Sequence, residues 1–124
     1  MTADWVRLCR ARDLQVAEPR VQVLFADGRH HHVTVEDRGD EYQLSAFIVR
    51  QAVVNAMPDL PRKVWSRNLS TPLVCFRIDN RQRLVGEAWV PKAGLCPEEF
   101  ELYIRTIAVE CDRFEYILTG RDVE

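Results

Sequence analysis

The sequence predicts an α+β domain, with helices packed on one antiparallel sheet in the order αβββαββα. Two observations carry that prediction. Short runs with apolar residues at alternate positions come in pairs joined by turn residues, as with Val21 and Val23 before Asp27-Gly28 and Val33 and Val35 after it. Near the end of the chain, apolar residues recur at steps of four and three, the period of a helix with one buried face. At 124 residues the chain is one domain, 1–124.

Residues 2–12 read as a short amphipathic helix. Thr2 is its N-cap, and Trp5, Leu8 and Cys9 share a face at the i, i+3, i+4 spacing. Residues 14–20 break it, with Pro19 as the stop. Residues 21–26 form a strand and residues 30–36 its return, joined at Asp27-Gly28, where glycine accepts positive φ without steric cost. A two-residue loop sets Val23 opposite His32. A three-residue loop sets Val23 opposite Val33, the better-patterned register and the one expected. Arg38-Gly39-Asp40 makes the second turn. Residues 41–49 form a third strand, with Leu44, Ala46 and Ile48 on one face and Phe47 and Val49 on the other. Apolar residues on both faces predict a strand covered on both sides, extending through Val53 and Val54.

Pro58 and Pro61 bracket the next start, with Asp59 as N-cap. Residues 60–69 form a short helix with Leu60, Val64 and Trp65 near one face, ended by Ser70-Thr71-Pro72. Residues 73–78 and 83–90 are a strand pair around the turn Asp79-Asn80-Arg81-Gln82. The last helix begins at Pro97, with Glu98, Glu99 and Glu101 complementing the positive end of its dipole. Phe100, Ile104, Ile107, Cys111, Phe114 and Leu118 form its core stripe, and Gly120 its left-handed cap. A second stripe of Leu102, Val109 and Tyr116 lies roughly opposite. A helix on one sheet needs one apolar face, so this stripe is a candidate partner-binding surface.

Charge excludes some functions. Seventeen basic and nineteen acidic residues give a net charge of −2, against a surface wholly committed to nucleic acid or anionic membrane. The charges are segregated: residues 60–92 carry seven basic groups and two acids, whereas residues 97–124 carry eight acids and three arginines. Such polarity fits two complementary surfaces, within the fold or between subunits. No apolar run is long enough to span a membrane, and Met1-Thr2-Ala3-Asp4-Trp5 opens no signal peptide, so a cytoplasmic location is expected.

Cys9, Cys75, Cys96 and Cys111 have no C-x-x-C spacing and read as free, buried thiols. His30, His31 and His32 fall in one strand, where His30 and His32 share a face and could share a metal. Such a site needs three or four ligands and the sequence offers no others, so a polar strand face is expected, with no metal and no cofactor. Nucleotide-binding glycine loops and nucleophile elbows are missing. Asp112 and Glu115 read as a charged rim at the edge of the last helix's core face. The expectation is a protein that is not an enzyme.

Residues 68–90, Asn-Leu-Ser-Thr-Pro-Leu-Val-Cys-Phe-Arg-Ile-Asp-Asn-Arg-Gln-Arg-Leu-Val-Gly-Glu-Ala-Trp-Val, resemble the central hairpin of the YbjN-like proteins. The tail from Cys96 does too, especially Ala108-Val109-Glu110-Cys111-Asp112-Arg113-Phe114-Glu115 and Leu118-Thr119-Gly120-Arg121-Asp122. The YbjN-like proteins share their fold with class I type III secretion chaperones. The resemblance is firmest over residues 58–122; the first half agrees in element order alone. It implies a non-catalytic, bacterial homodimer, chaperone-like or regulatory, that binds a segment of a partner protein. Carried over, the short middle helix and following hairpin form the dimer contact, through Val64, Trp65, Leu69, Leu73 and Trp89. An alternative is a nucleic-acid-associated regulator using the basic 62–83 region, where Arg62, Lys63, Arg67, Arg77, Arg81 and Arg83 cluster around Trp65.

Overall fold

In the computed structural model, which describes residues 4–120, six strands form one antiparallel sheet. They are β1 (Leu14–Ala17), β2 (Arg20–Leu24), β3 (His30–Asp37), β4 (Glu41–Val49), β5 (Cys75–Ile78) and β6 (Leu84–Pro91). The spatial order is β1-β2-β3-β4-β6-β5. Between β4 and β5 lie α1 (Gln51–Asn55) and α2 (Leu60–Ser70); α3 (Pro97–Thr119) closes the chain. The expected α+β class is thus the observed one, with helices packed on an antiparallel sheet.

Alternation sets the buried face. Val21 lies opposite Val33, Leu44 opposite Ala88 and Tyr42 opposite Val90, all in the core. On this face lies α3, against β2, β3, β4 and β6. Its predicted stripe is the keystone: Phe100, Ile104, Ile107 and Cys111 are fully buried and Phe114 nearly so. Burial of each large side chain stabilises by about 1.5–3 kcal/mol. Gly86 of β6 lets the helix approach, because a Cβ there would collide with the Cys111 sulfur. Gly120 caps α3 in the left-handed conformation at φ 67°, as expected.

Several elements depart from expectation. The N-terminal helix is a single 3₁₀ turn, Asp4–Leu8, and Thr2 lies outside the described residues. Tertiary packing holds the turn. Trp5 stacks at a tilt on Phe100, 6.4 Å between ring centres, and the Glu101 carboxylate accepts the Arg10 and Ala11 amides at 2.7 and 2.8 Å. The supposed break at residues 14–20 contains strand β1, turned into β2 at a cis Glu18–Pro19 bond. Pro19 ends no helix; it makes the hairpin corner.

The β2–β3 loop is three residues long in effect, since the Phe25 amide donates to the Arg29 carbonyl at 2.8 Å. Its register is neither of those considered: Val23 faces His31. That places His31 on the core face and leaves His30 and His32 on the other side of the strand. The strand β4 has the expected bounds, but only one face is covered, and Phe47 on the other face is 49% exposed. A bulge between Phe47 and Val49 turns Ile48 and Val49 both inward. After it the chain enters α1, so Val53 and Val54 are helical rather than a strand extension. The strand β5 starts at Cys75, two residues later than expected, because Leu73 has positive φ.

All four cysteines are free, as expected, but only Cys111 is fully buried; Cys75 is exposed. Burial pushes the Cys111 thiol well above its ordinary range, and burial with the nearby Glu101 carboxylate raises Cys9 to about 11. Neither is a ready nucleophile at neutral pH.

Candidate partner-binding surfaces

Among the described residues, the large exposed apolar side chains fall on three surfaces. The first is α2. Leu60 and Val64 face the core, whereas Trp65 is 64% and Leu69 is 70% exposed. These two sit one turn apart on the same outward strip. Leu73 follows, half exposed and held at φ 69°. A leucine in that left-handed conformation costs about 1–2 kcal/mol. That strain, at a side chain only half buried, works against this domain's own stability.

The position of α2 is fixed by Asn68, whose side-chain amide donates to the Phe76 carbonyl at 2.9 Å and accepts the Phe76 amide at 2.7 Å. This amide takes the place of a neighbouring strand and closes the β5 edge at that point. Arg67 ties α2 to α3, pairing with Glu110 at 3.3 Å and lying over the Phe114 ring. At the far end of the sheet the four-residue β1 is an edge strand.

The second surface is the outer side of α3. Leu102 and Tyr116 are about half exposed and Val109 about one third, so the heptad stripe is at the surface as expected. Arg105, on its flank, is bonded to Asp13 at 2.7 and 2.9 Å. Val109 and Tyr116 line a cleft of about 450 Å³ with Phe25, Arg29, Asp112 and Arg113, and Leu102 is not among its walls. Exposed Ile117 lines a second cleft, against α2, with Arg62, Lys63 and Arg67. Sequence periodicity missed Ile117 because it lies on neither stripe.

The third surface is the uncovered side of the sheet, with Phe47 and Trp89. Trp89 is therefore on a different surface from Trp65, Leu69 and Leu73, with which the resemblance groups it. Val64 is only 8% exposed and belongs to the core.

The basic 62–83 region is largely neutralised within the fold. Both oxygens of Glu87 accept from Arg77 at 2.9 Å, Arg83 binds Asp79 at 2.9 and 3.0 Å, and Lys63 pairs with Asp59. Burial opposes the charge on Asp79, yet hydrogen bonds from Arg83 and from the Arg81 amide outweigh it and hold its carboxyl below the usual range. The acidic α3 is answered mainly by the N-terminal half, through Arg29 to Asp112 and the two amides on Glu101. Arg67–Glu110 joins the two segregated segments to each other.

A six-stranded antiparallel sheet carrying helices in this arrangement is the type III secretion chaperone-like fold, the class that the sequence resemblance implied. Three solved structures carry that assignment. A chain of the heterodimeric ExoU–SpcU complex from the type III secretion system of Pseudomonas aeruginosa matches with a TM-score of 0.57 at 13% identity, over 85% of this chain and 87% of that one. YbjN from E. coli matches at 0.54 and 16% identity, over 86% and 78%. A chain of the HopA1–SchA chaperone–effector complex matches at 0.51 and 8% identity, over 87% and 81%. No protein-family model matches the sequence, and no curated protein does. No helix among the described residues is long and apolar enough to cross a membrane.

Proposed function

We propose that this protein is a non-catalytic, dimeric, chaperone-like module that binds an extended segment of a partner protein. The observation that carries this reading is the Trp65, Leu69 and Leu73 surface: large, exposed and in part conformationally strained, beside a core that is otherwise closed. Large exposed apolar groups of this kind favour protein–protein association. The reading assigns this surface to self-association. It assigns the cleft lined by Val109 and Tyr116, with Leu102 beyond it, to the partner segment. The reading gives an added strand to the β1 edge, at one end of the sheet, because Asn68 occupies the β5 edge at Phe76. Its place of action is the cytoplasm.

The test is sedimentation velocity across a concentration series, for wild type and for Trp65→Asp/Leu69→Asp. A dimer that becomes a folded monomer in the variant supports the assignment. A wild-type monomer at every concentration refutes it. Partner binding is tested by affinity capture on wild type and Leu102→Asp/Val109→Asp. The expected result is one stoichiometric protein retained by the first and lost by the second.

A further inference from the structure

We propose that His31, Asp112 and Glu115 form a binding site for a divalent transition-metal ion of the zinc type. The proposal stands apart from the dimer and partner reading. His31 comes from β3; Asp112 and Glu115, three residues apart, come from one face of α3. Each brings one ligand atom, and the three lie within 4.8 Å of one another. Ligands about 2.0–2.2 Å from a shared tetrahedral ion are roughly 3.3–3.6 Å apart. Small side-chain rotations close that difference.

The surroundings resemble the outer support of a metal site. Nε2 of His31 lies 2.9 Å from the Phe47 carbonyl oxygen. A carbonyl accepts only, so Nε2 carries the proton, and a metal would bind at Nδ1, displacing whatever proton or partner that nitrogen holds. A backbone carbonyl fixing one imidazole nitrogen is a recurrent way to orient a metal-binding histidine. Asp112 is held by Arg29 through two bonds, at 3.1 and 3.0 Å, and Arg29 is held in turn by Asp27 at 2.8 Å. Arg29 uses one direction on each Asp112 oxygen, and each carboxylate oxygen has a second lone pair. With a neutral imidazole the group of four carries a net charge of −1, which a divalent ion reverses rather than compounds.

There is room for the rest of the coordination sphere. His31 and Glu115 open onto a cleft of about 230 Å³, also lined by His30, His32, Arg20 and Phe47. A water needs about 30 Å³ of that space. One imidazole and two carboxylates match zinc or a neighbouring first-row ion. Calcium requires more oxygen ligands, and magnesium retains its water in preference to imidazole. A bound ion would clamp α3 to β3. Residues 30–32 alone could not disclose this site: its histidine is the one facing away from the other two, and its carboxylates lie far along the chain, on α3.

The experiment is a calorimetric titration of zinc into chelator-treated protein bearing no polyhistidine tag, with magnesium as the comparison and thermal unfolding as a second readout. One zinc should bind, with no comparable magnesium binding. At a free concentration of 100 times Kd it should raise Tm by roughly 10 °C. Glu115→Gln, at a half-buried position that tolerates an isosteric amide, should weaken binding by about tenfold or more. His30→Ala/His32→Ala should leave it unchanged. Absence of zinc binding by the folded wild type overturns the proposal. So does zinc binding that survives Glu115→Gln but is lost with His30 and His32.

Discussion

The two long helices of this domain spend their apolar residues in opposite ways. In α3, Phe100, Ile104, Ile107, Cys111 and Phe114 are turned into the sheet, and its acids are bonded to the N-terminal segment, to the β2–β3 loop and to α2. In α2 only Leu60 and Val64 are buried, while Trp65, its largest apolar side chain, and Leu69 face outward. Its attachment relies on Asn68 at the β5 edge and Arg67 on α3. One helix completes the domain; the other is shaped for contact beyond it. Apolar content alone does not separate them, because both carry enough to appear amphipathic.

The largest expected effect breaks the α3 side. Phe100 touches the rings of Trp5 and Tyr42, so Phe100→Ala should cost about 3–5 kcal/mol in urea unfolding and release the N-terminal turn to proteolysis. A loss below 1 kcal/mol would contradict the role assigned to this helix. Next is the contact beneath it. Gly86→Ala should cost about 1–3 kcal/mol by overpacking on Cys111, and Cys111→Ala in the same chain should recover part of the loss.

The α2 side should respond in the reverse sense. Leu73→Gly relieves the positive φ and should raise monomer stability by about 0.5–1 kcal/mol while weakening self-association. Trp65→Asp/Leu69→Asp should stay within about 1 kcal/mol of wild type when unfolding is followed under monomeric conditions. A large loss of stability in that variant would mean that the strip belongs to the fold.

The smallest effect is electrostatic and lies at the β5–β6 turn. The carboxyl of Asp79 is depressed in the folded state, so it binds protons more readily when unfolded. Its contribution is complete above the unfolded value, about 3.9, and disappears as pH falls through the lower folded one. Asp79→Asn should therefore reduce stability at neutral pH and flatten the acid limb of the stability curve below about pH 4. An unchanged acid limb would remove Asp79 from the account of this turn.

Local patterning made much of this architecture legible. The bounds of β4, the helix beginning at Pro97 with its buried stripe, the Gly120 cap and the central β5–β6 hairpin follow from period, turn chemistry and glycine conformation, each set within a few neighbouring residues. Expectation and structure part where distant residues decide. Nothing near residues 14–17 distinguishes a strand from a loop until β2 is available to pair with it. The N-terminal segment looks helical by spacing, yet Trp5 is drawn onto Phe100 and Glu101 captures the amides that would have continued the helix.

For the candidate surfaces the division is similar. The heptad of Leu102, Val109 and Tyr116 was visible as periodicity, and the structure puts those residues at the surface. Periodicity could not reveal that Asp13 would hold Arg105 beside the stripe, that Trp89 would lie on the open face of the sheet, or that Asn68 would cap a strand edge eight residues further on. The class of fold, the buried helical stripe and the supply of apolar residues beyond what the core needs are written in local pattern. Register is not, and it is register that brings His31 rather than its neighbours to two carboxylates of α3. Period and turn chemistry act over a few residues. A strand's register depends on side chains from the rest of the fold, and a shift of one residue exchanges its two faces.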